Sequence, residues 1–288
     1  MACDSAKTVS LLPVDPVLER EYSLRTRHPE RGGIYERQAR ASAELRASVS
    51  GFRTIRYGDA SACLLDFLPA VKPVSDRAPL FVFIHGGYWR ALERGIFTFL
   101  AKPWLDSGVH AAFIGYELAP RLSVSSIAVQ VGQAMEWLRG NTQELGVDAE
   151  RIVVAGHSAG AHLGACVLDG PKGWHAAGFV GVSGLYDLEP LRHTSVNADI
   201  RLDPQDARAM SPMWRDADRA TRHLLAVGGA ETDGFRGQSI DYAEHLRRQG
   251  CAAQVQVVPG CTHFDILDVL ADPQSALFRD AHAIVGHD

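Results

Sequence analysis

Ser158 lies in a sequence context that is typical of a catalytic nucleophile. The apolar residues 152–155 predict a buried strand, the pentapeptide Gly156–Gly160 reads G-H-S-A-G, and the Ala- and Leu-rich residues that follow predict a helix. In such a strand–turn–helix the serine sits at the apex, and the glycines fit where close backbone leaves no room for a Cβ atom. Chance alone would produce a G-x-S-x-G roughly one time in seven in a chain of this composition, so the placement carries the argument. The Ala159 amide, at the start of the helix, can donate to a developing negative charge.

A serine hydroxyl needs a base to remove its proton, and in this arrangement the expected chain order is serine, acid, histidine. His263 follows the last predicted strand, residues 253–258, and we expect it to be the base. If His263 were only a histidine of a surface loop, Ser158 would be inert. The other histidines are assigned elsewhere: His157 inside the turn and directed away from Ser158, His162 packed beneath the turn, His175, His193 and His223 in loops or at a strand start, and His282 and His287 in the terminal helix.

Two acidic residues follow the predicted strand 223–227 and compete for the role of the third member. Glu231 lies in the turn itself, three residues after Gly228. Asp233 lies two residues further on and could instead cap the next helix, a frequent use of aspartate. We therefore favour Glu231 and keep Asp233 as the alternative acid.

The residues H-G-G-Y-W after the predicted strand 80–84 supply a candidate oxyanion hole. Its glycines allow backbone N–H groups to approach a tetrahedral intermediate. We expect the amides of Gly87 and Tyr88 to donate together with that of Ala159, and Gly86 to shape the turn. His85 is expected to hold the loop through a hydrogen bond.

Strands that alternate with helices predict one α/β domain, residues 1–288, with a mostly parallel, doubly wound sheet. The other predicted elements are a hairpin over 52–58 and 62–69, strands over 109–114 and 177–182, and helices over 97–105, 126–145, 240–249 and from 265 to the C-terminus. Residues 1–50 read as a helical segment, either a solvated extension or a cap from which Tyr22 and Arg25 touch substrate. Residues 186–214 read as a loop-rich excursion above the sheet.

Composition narrows the function further. The chain has 288 residues, 46% of them hydrophobic, and a net charge of −5 without a basic run, which argues against nucleic acid as a partner. No apolar stretch has the length of a membrane span and no secretory signal is visible, so we expect a cytoplasmic protein without membrane contact. The five scattered cysteines and twelve histidines lack the spacing of a zinc site or disulfide framework, so we expect neither metal nor cofactor. The oligomeric state stays open, a homodimer being one option.

Taken together, these motifs resemble a known family. G-H-S-A-G-A-H-L, H-G-G-Y-W-R, Y-E-L-A-P at 116–120 and P-G-C-T-H-F-D-I-L at 259–267 are similar to the α/β-hydrolases related to hormone-sensitive lipase. Tyr88 replaces the third glycine of that group, and H-G-G-x-W marks the kynurenine formamidase (arylformamidase) branch. E-Y-S-L-R at 21–25, R-Y-G at 56–58, S-G-L-Y-D-L-E-P-L at 183–191, S-P-M at 211–213 and G-G-A-E-T-D-G-F-R-G-Q-S at 228–239 extend the likeness over nearly the whole chain. The G-G-A-E turn also favours Glu231, although the family more often has aspartate there.

The resemblance implies the α/β-hydrolase fold and hydrolysis of N-formyl-L-kynurenine to L-kynurenine and formate, a step of tryptophan catabolism. Tyr88 and Trp89 would then face the aryl group, unless they only pack beneath the N-terminal segment. Arg25 or Arg90 would pair with the carboxylate of the substrate. Two alternatives remain: a carboxylesterase for short acyl esters or other small amides, and a non-catalytic binding protein. The second is expected to lack a triad member or an oxyanion glycine, and none is missing.

Overall fold

A single eight-stranded sheet organises the part of the chain that the computed structural model describes, residues 12–73, 76–168 and 175–286. Residues 1–11 of the predicted N-terminal segment, with Cys3, and His287 lie outside these ranges. The strands are β1 (Arg53–Arg56), β2 (Leu64–Leu68), β3 (Ala78–Ile84), β4 (His110–Ile114), β5 (Val147–His157), β6 (Gly178–Val182), β7 (Arg222–Gly228) and β8 (Ala253–Val258).

The order of the strands across the sheet is β1-β2-β4-β3-β5-β6-β7-β8. β2 pairs antiparallel with β1 and β4, and all other neighbours are parallel. The predicted hairpin and the mostly parallel sheet are therefore confirmed. The strand over 253–258 has the predicted bounds, and the other parallel strands lie within a few residues of theirs, apart from β5, which begins several residues early.

Helices cover both faces of the sheet. In the described residues they are α1 (Pro16–Tyr22), α2 (Leu24–Arg27), α3 (Arg31–Ser48), α4 (Ala101–Asp106), α5 (Val124–Gly140), α6 (Thr142–Leu145), α7 (Ala159–Val167), α8 (Asn197–Ile200), α9 (Pro204–Met210), α10 (Asp233–Arg248), α11 (Ile266–Leu270) and α12 (Ala276–Val285). Short 3₁₀ turns accompany them at 94–96, 98–100, 189–193 and 212–214. None of the helices in these ranges combines the length and apolar character needed to cross a bilayer.

Two hydrophobic layers sandwich the sheet, because successive side chains of a strand point to opposite faces. In β3, Leu80, Val82 and Ile84 belong to the layer under α5, α7 and α10. Phe81 and Phe83 belong to the other layer, under α4, α11 and α12. Every residue of β3 is buried, as expected for a central strand covered on both faces.

Three predicted helices differ from the observed ones at their ends. The stretch 126–145 splits at Asn141 into α5 and α6, and α6 closes on Gly146 in the left-handed conformation (φ +66°). The helix predicted from Ile240 begins at Asp233, because Thr232 caps it by accepting a hydrogen bond from the Phe235 amide. The stretch 97–105 begins as a 3₁₀ turn before α4.

The excursion over 186–214 is more ordered than its composition suggests. It contains α8, α9 and two 3₁₀ turns, and α9 starts at the N-cap Asp203 followed by Pro204. Short helices of this kind were missed because their apolar pattern is too brief to show a period. The C-terminal segment likewise holds two helices, α11 and α12, rather than one.

The carboxyl ends of four strands meet at one edge of the sheet. Ile84 of β3 pairs in register with Gly156 of β5, and Gly228 of β7 pairs with Val258 of β8. The H-G-G-Y-W loop, Ser158, the Glu231 turn and the His263 loop therefore leave the sheet on the same side.

Candidate active site

Ser158 lies on a strained turn between β5 and α7. Its backbone has φ +55° and ψ −120°, a combination rare for a residue with a side chain. Only glycine fits at the two flanking positions of this turn. A Cβ on Gly156 would lie 2.3 Å from the Gly160 carbonyl oxygen, and one on Gly160 would lie 2.0 Å from the Ile84 carbonyl oxygen. The Ser158 amide donates to the Val182 carbonyl over 2.8 Å. The turn is thus locked into the neighbouring strands, as a nucleophile elbow requires.

Glu231 and His263 form a buried pair. Oε2 of Glu231 lies 2.7 Å from Nδ1 of His263, and both side chains are almost completely excluded from solvent. The second carboxylate oxygen, Oε1, accepts from the Ser183 hydroxyl over 2.6 Å and from the Gly228 amide over 2.8 Å. Since the carboxylate accepts at Nδ1, the neutral imidazole carries its proton there and presents a lone pair at Nε2.

Asp233 is not part of this pair. It is the first residue of α10, its side chain is exposed, and it forms an ion pair with Arg236. Of the two acids left open by the sequence, Glu231 is thus the one that contacts His263.

Ser183 was missed as a site residue. It follows β6 with φ +51° and is fully buried, and its amide donates to the Ala226 carbonyl over 2.7 Å. Its position just after a parallel strand, at the same edge as Ser158, is the signal that could have found it.

Ser158 and His263 border the same cavity. The Ser158 hydroxyl makes no hydrogen bond with any described residue, although the residue is only 2% exposed. Catalytic hydrogen bonds are often long in the absence of substrate and tighten in the complex.

His157 holds the loop that carries His263. Its Nε2 donates to the His263 carbonyl over 2.8 Å, and the two ring centroids are 4.6 Å apart. Burial, together with the nearby His263, holds the pKa of His157 well below its ordinary value, so this ring stays neutral. His157 borders the cavity as well, and its orientation away from Ser158 stays a prediction.

The H-G-G-Y-W loop lies directly against the serine. A Cβ on Gly86 would approach the His157 carbonyl oxygen to 2.7 Å and the Ser158 Cβ to 3.1 Å. Gly87 has φ +108°, and a Cβ there would lie 2.1 Å from the Ala91 carbonyl oxygen. Among the described residues, nothing accepts a hydrogen bond from the amides of 86, 87, 88 and 159, so these N–H groups are available to an oxyanion.

His85 holds this loop from behind. Its Nδ1 lies 2.8 Å from the Gly86 carbonyl oxygen, and its ring stacks on Tyr116 at a centroid distance of 4.2 Å. The Tyr116 hydroxyl donates to the His85 carbonyl over 2.7 Å. Burial lowers the pKa of His85 to about 4, so the ring is neutral and donates to the Gly86 carbonyl.

The two aromatic residues of the loop have different surroundings. Tyr88 borders the cavity, and its hydroxyl donates to the Tyr22 carbonyl over 2.5 Å. Trp89 is fully buried, stands edge-on to His162 with a centroid distance of 5.0 Å, and does not line the cavity. The prediction that Trp89 faces the substrate is therefore wrong, because its ring packs in the hydrophobic core against His162.

The N-terminal segment lies over this edge of the sheet. The Glu21 carbonyl accepts a hydrogen bond from the Thr232 hydroxyl over 2.8 Å. The Glu21 carboxylate accepts one from the Gly234 amide over 2.7 Å. The Tyr22 hydroxyl accepts from Gln238 over 3.3 Å. α1 is thereby fixed beside the turn that carries Glu231, rather than extending into solvent.

The cavity between this segment and the elbow has a volume of about 260 Å³. Its lining includes the predicted Tyr22, Arg25, Tyr88 and Arg90 and several residues that were not predicted: Leu24, Arg31, Tyr35, Leu92, Val196 and Phe264. Arg90 forms an ion pair with Asp199, whereas Arg25 has no polar partner for its side chain among the described residues. The unpredicted residues were missed because only the fold brings α2, α3 and the His263 loop together.

No group of three or more His, Cys, Asp or Glu side chains within the described ranges is arranged to hold a metal ion. The four cysteines in those ranges carry free thiols.

Comparison with known proteins places the chain among hydrolases. Residues 81–266 match the family model of the α/β-hydrolase fold. Kynurenine formamidase of Drosophila melanogaster is 30% identical over 239 residues, 78% of either chain, and that of Danio rerio is 29% identical over 81% of either chain. A crystal structure from Silicibacter, named as a thioesterase, superposes with a TM-score of 0.81 at 31% identity and covers 94% of this chain and 99% of its own.

The family model spans well over half of the chain, and the formamidase relatives match most of it. The elbow at Ser158, the parallel sheet and the loop that follows β3 all lie inside the matched region. The chain therefore belongs to the α/β-hydrolase family and is a homologue of the kynurenine formamidases.

Proposed function

We propose that this protein is a serine hydrolase that cleaves N-formyl-L-kynurenine into L-kynurenine and formate, with Ser158, His263 and Glu231 as its catalytic triad. The observation that carries the proposal is the buried Glu231–His263 pair, joined over 2.7 Å and bordering one cavity with Ser158. The formamidase relatives supply the substrate class.

In the first half-reaction the Ser158 oxygen attacks the formyl carbon while Nε2 of His263 takes the hydroxyl proton. The tetrahedral intermediate collapses, the C–N bond breaks, and His263 returns the proton to the departing arylamine nitrogen. In the second half-reaction His263 deprotonates a water that attacks the formyl ester, and formate leaves as Ser158 regains its proton.

Glu231 keeps His263 in the tautomer that this cycle needs. Its Oε2 holds Nδ1–H, so Nε2 keeps a lone pair that can accept the Ser158 proton, and the carboxylate stabilises the imidazolium that forms. Ser183 and the Gly228 amide occupy the other oxygen and fix the carboxylate in this orientation.

The oxyanion of the intermediate is stabilised by the amides of Gly87, Tyr88 and Ala159. These groups have no competing acceptor among the described residues, and removing one such donor typically costs about 10²–10³ in rate. The absence of a Cβ at Gly86 lets the loop that carries the Gly87 and Tyr88 amides lie directly against Ser158.

The lining of the cavity suits an aryl formamide that carries a carboxylate. Tyr88, Tyr22 and Phe264 offer aromatic surface, and Arg25 is a cation without a partner among the described residues. In this proposal the N-terminal helices act as a cap over the substrate. A cytoplasmic location and the option of a homodimer remain predictions from the sequence.

A carboxylesterase for short acyl esters is the second candidate. It is favoured by the Silicibacter relative named as a thioesterase, which is as similar in sequence as the formamidases. The triad and oxyanion hole serve esters and formamides alike, so only the substrate separates the two functions.

Steady-state kinetics on N-formyl-L-kynurenine and p-nitrophenyl acetate test the proposal. We expect a higher kcat/KM on the formamide, and loss of both activities in Ser158→Ala. A fast esterase that leaves the formamide untouched would establish the second candidate instead. Equal rates for wild type and Ser158→Ala on both substrates would exclude a serine hydrolase.

A further inference from the structure

We infer that Arg25, Arg31 and Tyr35 form an anion subsite in the N-terminal helices, which binds a carboxylate carried on the leaving-group side of the substrate. This inference rests on the proposed function, since it assigns the substrate class of the same cavity. Arg25 lies on α2, and Arg31 and Tyr35 lie on the first turns of α3. All three residues border the cavity that contains Ser158.

The charge balance of the cavity favours an anionic ligand. Three arginines line it, and none of its described lining residues is an aspartate or glutamate. Arg90 is neutralised by its ion pair with Asp199. Arg25 and Arg31 form no ion pair in the described part of the chain, although the charge of the exposed Glu30 carboxylate acts on Arg31, so neither guanidinium is neutralised by a contacting carboxylate.

Arg31 is held in place by neutral groups. Its Nη1 donates to the Arg25 carbonyl over 2.6 Å and to the His28 carbonyl over 3.0 Å. These bonds fix the guanidinium and leave its charge available, because carbonyl oxygens do not neutralise it. The remaining N–H donors of the fork are those that bind a carboxylate.

Tyr35 supplies a third donor between the two arginines and the catalytic loop. Its ring is fixed edge-on against Phe97 and Phe264, at centroid distances of 6.4 and 5.7 Å. Its hydroxyl makes no hydrogen bond with a described residue. Burial raises the pKa of Tyr35 to about 12, so the phenol stays protonated and can donate a hydrogen bond. The charges of Arg31 and Arg25 oppose this rise, so both guanidinium groups interact electrostatically with the Tyr35 hydroxyl.

The position of the subsite determines which end of a ligand it meets. Phe264, which holds Tyr35, directly follows His263, and the cavity continues from there to Ser158. His263 returns its proton to the leaving group, so a ligand with its acyl carbon at Ser158 extends its leaving group toward Tyr35 and the arginines. The structure thus selects substrates whose leaving group, not whose acyl group, is anionic.

The test compares matched anionic and neutral substrates. The first pair is N-formyl-L-kynurenine and 2-formamidoacetophenone, which lacks the amino-acid portion. The second is 4-acetoxybenzoate and 4-acetoxybenzamide, two acetate esters that test the subsite independently of formamide hydrolysis. The variants are Arg25→Gln and Arg31→Gln, and the control is Arg27→Gln, which removes an exposed arginine of the same helix that does not line the cavity.

We expect each cavity variant to raise KM for the anionic member of a pair about tenfold or more, while kcat for that member stays within about twofold of wild type. For the neutral member, both KM and kcat should stay within about twofold of wild type. Added salt should raise the wild-type KM for the anionic ester, and less so in the variants, because screening acts on the same charges. Arg27→Gln should resemble wild type. Arg25→Gln keeps the test valid if Arg31→Gln fails to fold, since the Arg25 side chain is exposed and makes no contact on which folding depends.

Failure of the subsite and failure of the proposed function give different results. If N-formyl-L-kynurenine is cleaved but neither variant discriminates within a pair, the subsite is wrong and the function stands. If the formamide is not cleaved while 4-acetoxybenzoate is preferred in an Arg31-dependent way, the function is wrong and the subsite stands. Equal losses on anionic and neutral substrates would reduce Arg31 to a structural residue and overturn the inference.

Discussion

Replacing Glu231 with glutamine should abolish most of the activity without unfolding the protein. The carboxylate accepts three hydrogen bonds, from His263 Nδ1 at 2.7 Å, the Ser183 hydroxyl at 2.6 Å and the Gly228 amide at 2.8 Å. A glutamine that keeps its oxygen toward Ser183 and Gly228 must point its NH₂ group at Nδ1 of His263. The imidazole then accepts at Nδ1 and carries its proton on Nε2, where it cannot receive the proton of Ser158.

The opposite orientation of the glutamine amide is also unfavourable. Its NH₂ group would then lie about where the Glu231 oxygen accepts from the Gly228 N–H over 2.8 Å, so two donors would face each other. In a serine protease triad the corresponding change to the amide lowers kcat about 10⁴-fold with the geometry intact. We expect a loss of the same order here, which corresponds to about 5.5 kcal/mol of transition-state stabilisation at about 1.4 kcal/mol per tenfold.

The matched control is Asp233→Asn, which tests the acid that the sequence left open. Asp233 is exposed and forms an ion pair with Arg236, and surface ion pairs contribute about 0–1 kcal/mol. We expect its kcat to stay within about twofold of wild type. The assay is kcat on N-formyl-L-kynurenine and on p-nitrophenyl acetate, with circular dichroism to verify folding. A folded Glu231→Gln variant within tenfold of wild type, or a 10³-fold loss in Asp233→Asn, would refute the assignment.

Three further predictions concern the oxyanion loop, the residue behind Glu231 and the stability in acid. Gly87→Ala should lower kcat on formamide and ester alike by about 10²–10³, because its Cβ would meet the Ala91 carbonyl oxygen at 2.1 Å and displace a donor; unchanged kinetics in a folded variant would count against the predicted oxyanion hole. Ser183→Ala should cost about 1.5–3 kcal/mol in urea unfolding, since the Glu231 carboxylate loses a charge-assisted hydrogen bond; a free energy of unfolding equal to that of wild type would contradict this. Burial lowers the pKa of His223 to about 4, so between about pH 6.5 and 4 the unfolded chain binds more protons than the folded one, and the free energy of unfolding falls as the pH falls. His223→Leu should reduce the slope of the free energy of unfolding against pH in this range by up to about 1.4 kcal/mol per pH unit. An unchanged slope would argue against this prediction.

A site residue could be predicted from the sequence where its residue type and its position along the chain indicate the local structure. Gly156 and Gly160 indicate a tight turn, because a Cβ atom at either position would lie within 2.3 Å of a backbone carbonyl oxygen. The elbow could therefore be predicted from these glycines and the flanking strand and helix patterns. His263 and Glu231 followed from chain order, because parallel strands bring successive loops to one edge. The choice between Glu231 and Asp233 depended on two residues of spacing, and pattern alone could not decide it.

What the sequence could not supply were contacts made across the fold. Nothing in the local pattern around Arg31 or Tyr35 indicates that α3 lies beside the His263 loop, since residues 31–48 have few apolar positions and the helix buries Gln38 and Ser42 instead. Those two side chains bond to the Phe264 and Ile96 carbonyls, a polar docking that no hydrophobic period predicts. Trp89 was misplaced for the same reason, because nothing in the local motif indicates that its ring packs against His162 while the ring of the adjacent Tyr88 borders the cavity.

The most direct test of the proposed mechanism is to couple covalent modification of the nucleophile to loss of formamide hydrolysis. A fluorophosphonate should add one phosphonyl group per chain, located on Ser158 by peptide mass spectrometry, and hydrolysis of N-formyl-L-kynurenine should fall in proportion to labelling. Ser158→Ala should take up no label. Full hydrolytic activity in protein whose Ser158 is completely phosphonylated would contradict the mechanism.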